Sequence, residues 1–110
     1  MAGAIQDRVI GAGCVVASYN GTAAALYLNL GFIPTWARAL NYTDGDAGWS
    51  WMYGMTAATC IGEGGALAAV TTQGVTTMDG SAGNGIGLEL GTDATYVNET
   101  GKTYFAVFGR

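Results

Sequence analysis

Thr35-Trp36-Ala37-Arg38-Ala39-Leu40-Asn41 sets Trp36, Arg38 and Leu40 at alternate positions, with Thr35, Ala37, Ala39 and Asn41 between them. A period of two belongs to a β-strand, whose successive side chains point to opposite faces. The same alternation recurs upstream, where Ala24, Leu26, Leu28 and Leu30 oppose Ala25, Tyr27 and Asn29. It recurs near the end, where Thr103, Phe105 and Val107 oppose Lys102, Tyr104, Ala106 and Phe108. Both faces of that last segment carry bulk, which predicts a central strand or one with a covered outer face.

Working outward, glycine occurs 19 times and proline once, at Pro34. Each interior glycine costs a helix about 1 kcal/mol, so this spacing leaves little room for helices. The predicted strands are Val9–Ile10, Cys14–Asn20, Ala24–Leu30, Trp36–Tyr42, Trp49–Tyr53, Leu67–Thr71, Val75–Met78, Ile86–Leu90, Thr95–Val97 and Lys102–Phe108. Turn chemistry separates them. Asn20-Gly21 reads as a type I′ hairpin, and Asp44-Gly45 and Asp79-Gly80 as Asp/Gly turns. Asn98-Glu99-Thr100-Gly101 reads as the turn that closes the last hairpin. The expected fold is all-β, an antiparallel β-sandwich or jelly-roll-like barrel.

The 110 residues suffice for one domain, 1–110, that buries its own core. Residues 1–8 stand apart. Met1 to Asp7 are small and mixed, and read as an extended arm able to add to a neighbour's sheet edge, with Ile5 filling a pocket. Val9-Ile10-Gly11-Ala12-Gly13-Cys14 has a faint likeness to a lipoprotein signal, but Asp7 and Gly11 fit one poorly. A first strand from near Arg8 fits better, and folding in a cytoplasm is the expectation, with both thiols reduced.

Half the residues are hydrophobic and 11% are charged, against about 25% charged in an average soluble domain. A chain with so few charges is expected to be covered by partners. Four basic residues, dispersed among eight acidic ones, argue against nucleic acid. No apolar run reaches the roughly 20 residues of a spanning helix.

The residues offer little chemistry. Histidine is absent, which removes the commonest general base and neutral metal ligand. Cys14 and Cys60 match no zinc spacing, and read as two small buried side chains, with a disulfide as the alternative. Asp44-Gly45-Asp46 lacks the ligand ladder of a calcium loop and reads as a turn. Gly62-Glu63-Gly64-Gly65 and Gly83-Asn84-Gly85-Ile86-Gly87 lack the Lys-Ser/Thr of a phosphate loop. The expectation is a protein without enzymatic activity and without cofactor or metal.

Aromatic residues carry the candidate interface. Trp36, Trp49 and Trp51, with Tyr42 and Tyr53, lie in the central third, and alternation puts the Trp49 and Trp51 indoles on one face. Such residues serve as core, as anchors of a protein contact or as sugar-stacking platforms. The candidate interface set is Ile5, Trp36, Trp49, Trp51 and Tyr53.

Gly31-Phe32-Ile33-Pro34, followed by a Trp-bearing strand, the Asn41-Tyr42-Thr43-Asp44-Gly45 turn and a strand with Trp and Met, resembles small β-sandwich proteins of tailed bacteriophage virions. Thr72-Gln73-Gly74-Val75-Thr76, Asp79-Gly80, Gly85-Ile86-Gly87 and Val97-Asn98-Glu99-Thr100-Gly101-Lys102-Thr103-Tyr104-Phe105-Ala106 continue the likeness, which spans Gly31 to Arg110 as short motifs. The resemblance implies a capsid decoration, or cement, protein made in the host cytoplasm and carried on the capsid surface. Its implied partners are the major capsid protein and its own copies, as a homo-oligomer such as a trimer. The alternative is a carbohydrate- or receptor-binding module of a phage tail or tail fibre, although the chain has no repetitive stalk.

Overall fold

The computed structural model describes residues 5–10 and 13–110, with side chains at 5 and 13–110. Nine strands form among them: β1 (Ile5–Ile10), β2 (Cys14–Asn20), β3 (Leu26–Asn29), β4 (Trp36–Asn41), β5 (Gly48–Met52), β6 (Thr59–Glu63), β7 (Leu67–Asp79), β8 (Ile86–Leu90) and β9 (Thr103–Gly109). They make one antiparallel sheet in the order β1-β2-β9-β4-β5-β6-β7-β8-β3. The all-β fold expected from the sequence is the one that forms, as a single sheet curled around its inner face.

Alternation decides what lies inside. Val15, Ala17 and Tyr19 of β2, Ala37 and Ala39 of β4, Trp49 and Trp51 of β5, and Tyr104, Ala106 and Phe108 of β9 share one core. Leu28, Leu88, Leu90, Val70 and Val75 join it from the other end of the sheet. Small alanines beside large rings let the facing strands approach, since interiors are packed at crystal-like density. β9 lies between β2 and β4, which is the central position its two bulky faces require.

β7 runs through 13 residues as one strand where two were expected. Its first half pairs with β6 and its second with β8. Between them Gln73 takes φ +60 and Gly74 lies hard against the Ala58 carbonyl, so the strand bends there without ending. A bulge of this kind turns the sheet direction sharply. β6 was not expected at all. Its inward positions are Cys60 and Gly62, too small to produce a visible hydrophobic alternation.

The two expected hairpins do not form. β2 pairs with β1 and β9, while β3 pairs with β8 at the far edge. Asn20-Gly21 therefore leads into a crossing. Gly21 N–H donates to the Lys102 carbonyl at 2.8 Å, and a side chain at 21 would overlap the Glu99 backbone. Glycine is required there for close approach, and its φ is not positive as a type I′ turn would demand. Thr95–Val97 is likewise no strand; it lies in a turn-rich segment that closes one end of the core with Val97 fully buried.

Ile5 belongs to β1, an edge strand paired with β2, and its side chain packs against the core. The expected arm of residues 1–8 is corrected accordingly: Ile5–Ile10 is a strand of the sheet, because Ile5 has core to cover and β2 offers an edge to pair with. Residues 1–4 lie outside the described residues.

Candidate functional site

The outer face of the sheet is where this chain departs from an ordinary surface. Backbone register sets three rows across it. Trp36 and Met52 are neighbours in the first, beside Gly109. Val16, Val107, Arg38, Ser50 and Ile61 form the second. Phe105, Leu40, Gly48 and Glu63 form the third, and Tyr42 follows Leu40 beyond the end of β4. Apolar side chains thus occupy outward positions on five adjacent strands, where a free sheet face would carry polar ones.

Exposure separates the five candidate interface residues. Trp36 and Tyr53 are 43% and 64% exposed. Trp49 and Trp51 are 0% and 2% exposed and belong to the core. Their expected role as interface anchors is therefore corrected: β5 turns both indoles inward, because the alternation that pairs them also opposes them to Met52. Ile5 packs on the core from β1 rather than standing on an arm. Of the five, Trp36 and Tyr53 remain on the surface. Leu40, Phe105 and Met52 were missed, although the Trp36-Arg38-Leu40 alternation already placed Leu40 beside Trp36, and Tyr42, one of the central aromatics, stood outside the candidate set.

Glycine shapes the Trp36 end. Gly109 lies opposite Trp36, and a Cβ at 109 would overlap the indole ring. The ring therefore lies against the β9 backbone at Gly109 and stays partly exposed. Tyr53 continues from β5, its N–H donating to the Thr35 carbonyl at 2.8 Å.

At the opposite end of β4 the face deepens into a groove of about 630 Å³. Leu40, Tyr42 and Phe105 form an apolar wall, with the Tyr42 and Phe105 rings edge to face at 5.1 Å. Arg38 and Glu63 stand along it as a fork. Arg38 Nε and Nη2 donate to the two Glu63 carboxylate oxygens at 3.2 and 2.9 Å. This pair bridges β4 to β6 over β5, where Gly48 puts no side chain between Leu40 and Glu63. An exposed pair of this type adds at most about 1 kcal/mol to stability, so its main effect is to fix the groove's polar edge.

The 42–47 turn supplies the end of the groove. Asn41, almost fully buried, accepts from Asp44 N–H through its side-chain oxygen at 3.1 Å. Its amide donates to Asp44 and Glu99, and Lys102 pairs with Asp44 at 3.2 Å. Asp44-Gly45-Asp46 is thus a turn held by its own residues, with Gly45 at φ +71. Among the described residues no three His, Cys, Asp or Glu side chains come together as a metal cluster.

The thiols lie apart. Cys14 is partly exposed on the outward side of β2, whereas Cys60 is buried in the core and its thiol is pushed up to about 12 by burial, with Asp93 adding to the shift. A nucleophilic cysteine needs the opposite shift, towards the thiolate. Comparison with family models, curated proteins and solved structures gives no match to this chain.

Proposed function

We propose that this chain is a structural assembly protein that docks through the outer face of β9, β4 and β5, and that the surface it docks on is a bacteriophage capsid. The observation that carries the reading is the set of exposed apolar side chains on that face, Trp36, Leu40, Met52 and Phe105, over a fully packed core. The core needs none of them. An apolar row outside a complete core has surface area to lose only to a partner. The capsid as partner comes from the likeness of Gly31 to Arg110 to virion proteins, and the absence of histidine together with the inert Cys60 accords with a non-enzymatic role. Attachment to the major capsid protein, in copies that also touch one another, suits a face this broad.

The test is co-sedimentation with capsid shells of the phage that encodes the chain. Wild-type protein is expected to pellet with shells, and a Trp36→Ser, Leu40→Ser double variant to bind at least about tenfold more weakly. Both positions are surface-exposed, so the variant keeps its fold. A wild-type chain that stays monomeric and ignores shells contradicts the reading.

A further inference from the structure

We propose that the groove beside Leu40, Tyr42 and Phe105 receives a segment of a partner protein that presents a Leu- or Met-sized side chain next to a lysine or arginine. The inference rests on the docking reading and names what the partner brings to this part of the face.

Charge accounts for the basic residue. Arg38 is held by Glu63 through two hydrogen bonds, and Lys102 is held by Asp44. Asp46, at the groove's end, is exposed and has no hydrogen bond or ion pair among the described residues. The charge left uncompensated in the groove is therefore negative, in a chain whose net charge is already -4. The exposed Tyr42 ring lines the same groove, and an aromatic face attracts positive charge.

The wall accounts for the apolar residue. Leu40, Tyr42 and Phe105 line one side of a space large enough for several side chains. A sugar fits less well. Its hydroxyls need donors as well as the Asp46 acceptor, yet the nitrogen donors of the groove are spent: Arg38 on Glu63, and the Asn41 amide on Asp44 and Glu99. A second copy fits less well too. Among the described side chains, Arg38 and Lys102 are committed to internal acids, and Arg110 stacks over Phe32 at 4.7 Å.

The experiment is an NMR titration of the isolated chain, following backbone amides, with the acetylated, amidated peptides Lys-Leu-Lys, Lys-Ser-Lys and Glu-Leu-Glu, and with maltose. The expected result is saturable shifts at Leu40, Tyr42, Asp46 and Phe105 with Lys-Leu-Lys, and at least about tenfold weaker response to the other three probes. Asp46→Asn should weaken the Lys-Leu-Lys response and remove most of its salt dependence, while Leu40→Ser should abolish it in a chain with an otherwise unchanged spectrum. Equal response to Glu-Leu-Glu or Lys-Ser-Lys, shifts centred elsewhere, a stronger response to maltose, or concentration-dependent shifts of these amides without any probe would each overturn it. Shells play no part in this titration. A chain that pellets with shells but ignores Lys-Leu-Lys loses this inference alone, and one that binds the peptide but not shells loses the docking reading alone.

Discussion

The Trp49 indole N–H donates to the Tyr19 hydroxyl at 2.9 Å, although β5 and β2 are three places apart in the sheet. In a flat sheet those strands would be about 14 Å apart, at about 4.8 Å per step. The bond is therefore a direct measure of how far the sheet curls. Tyr19 passes the contact on, its O–H donating to the Val97 carbonyl at 2.7 Å, while its ring stacks on Tyr104 at 4.8 Å. Through this chain the inner face is tied to the segment that closes its end, and the outer face is left to other work.

Replacing Tyr19 by Phe keeps the stack and removes both hydrogen bonds. The Trp49 N–H and the Val97 carbonyl would then be buried without partners. A loss of about 2–3 kcal/mol is expected in chemical denaturation, with unchanged outer-face binding. A loss below 0.5 kcal/mol, on the order of a surface substitution, would show that the chain of bonds does not hold the curl.

Asn98 is the second fixed point. Its side-chain oxygen accepts from Thr22 and Ala23 N–H at 2.7 and 3.2 Å, and its amide donates to the Ala24 and Gly91 carbonyls at 2.7 and 2.9 Å. It joins the crossing after β2 to the closing segment. Asn98→Ala is expected to cost about 3 kcal/mol, and Asn98→Asp nearly as much, since a carboxylate cannot donate to the two carbonyls. Thermal melts of the two variants check this.

Alkaline pH should unfold the protein in a defined order. Burial raises Cys60 from 9.0 to about 12, and raises Tyr19 and Tyr104 above 10.0. Above pH 9 the unfolded chain releases the Cys60 proton while the native chain keeps it. Stability is therefore complete below pH 9 and falls as pH rises towards 12, by up to about 1.4 kcal/mol per pH unit for the thiol alone. The tyrosines add to the fall from pH 10. A Cys60→Ala variant should begin to lose stability near pH 10 instead of pH 9, which melting curves between pH 8 and 11 resolve.

Gly109→Ala tests how Trp36 is presented. The new methyl would overlap the indole, so the ring must lift off the β9 backbone. The expected outcome is a folded protein, at most about 1–2 kcal/mol less stable, with tryptophan fluorescence more readily quenched by iodide. Unchanged quenching would mean that Trp36 does not lie across Gly109.

Where the sequence was legible, side-chain size did the signalling. β4 and β9 stand out because tryptophan, leucine and phenylalanine alternate with alanine or polar residues, and each forms within a residue or two of its expected bounds. β6 is silent because its inward residues are Cys60 and Gly62, and Gly62 is small only because the Tyr96 ring occupies the space a Cβ would take. Asn20-Gly21 misled for a related reason. A glycine that admits the Glu99 backbone cannot be told from one that turns a hairpin until the partner strand is known. At the candidate site, alternation put Trp49 and Trp51 on one face but could not say that the face was the inner one. That choice depends on the whole sheet and on the acceptor that Tyr19 brings to Trp49.

The central claim is that the outer face of β9, β4 and β5 is covered when the protein is at work. Hydroxyl-radical footprinting of the free chain and of the chain bound to phage particles, read by mass spectrometry, tests it most directly. Trp36, Met52 and Phe105 should label readily in the free chain and lose most of that label on particles, while Ile86 on β8, also exposed, keeps its own. Undiminished labelling of Trp36, Met52 and Phe105 on particles, or protection of Ile86 in their place, would contradict the account.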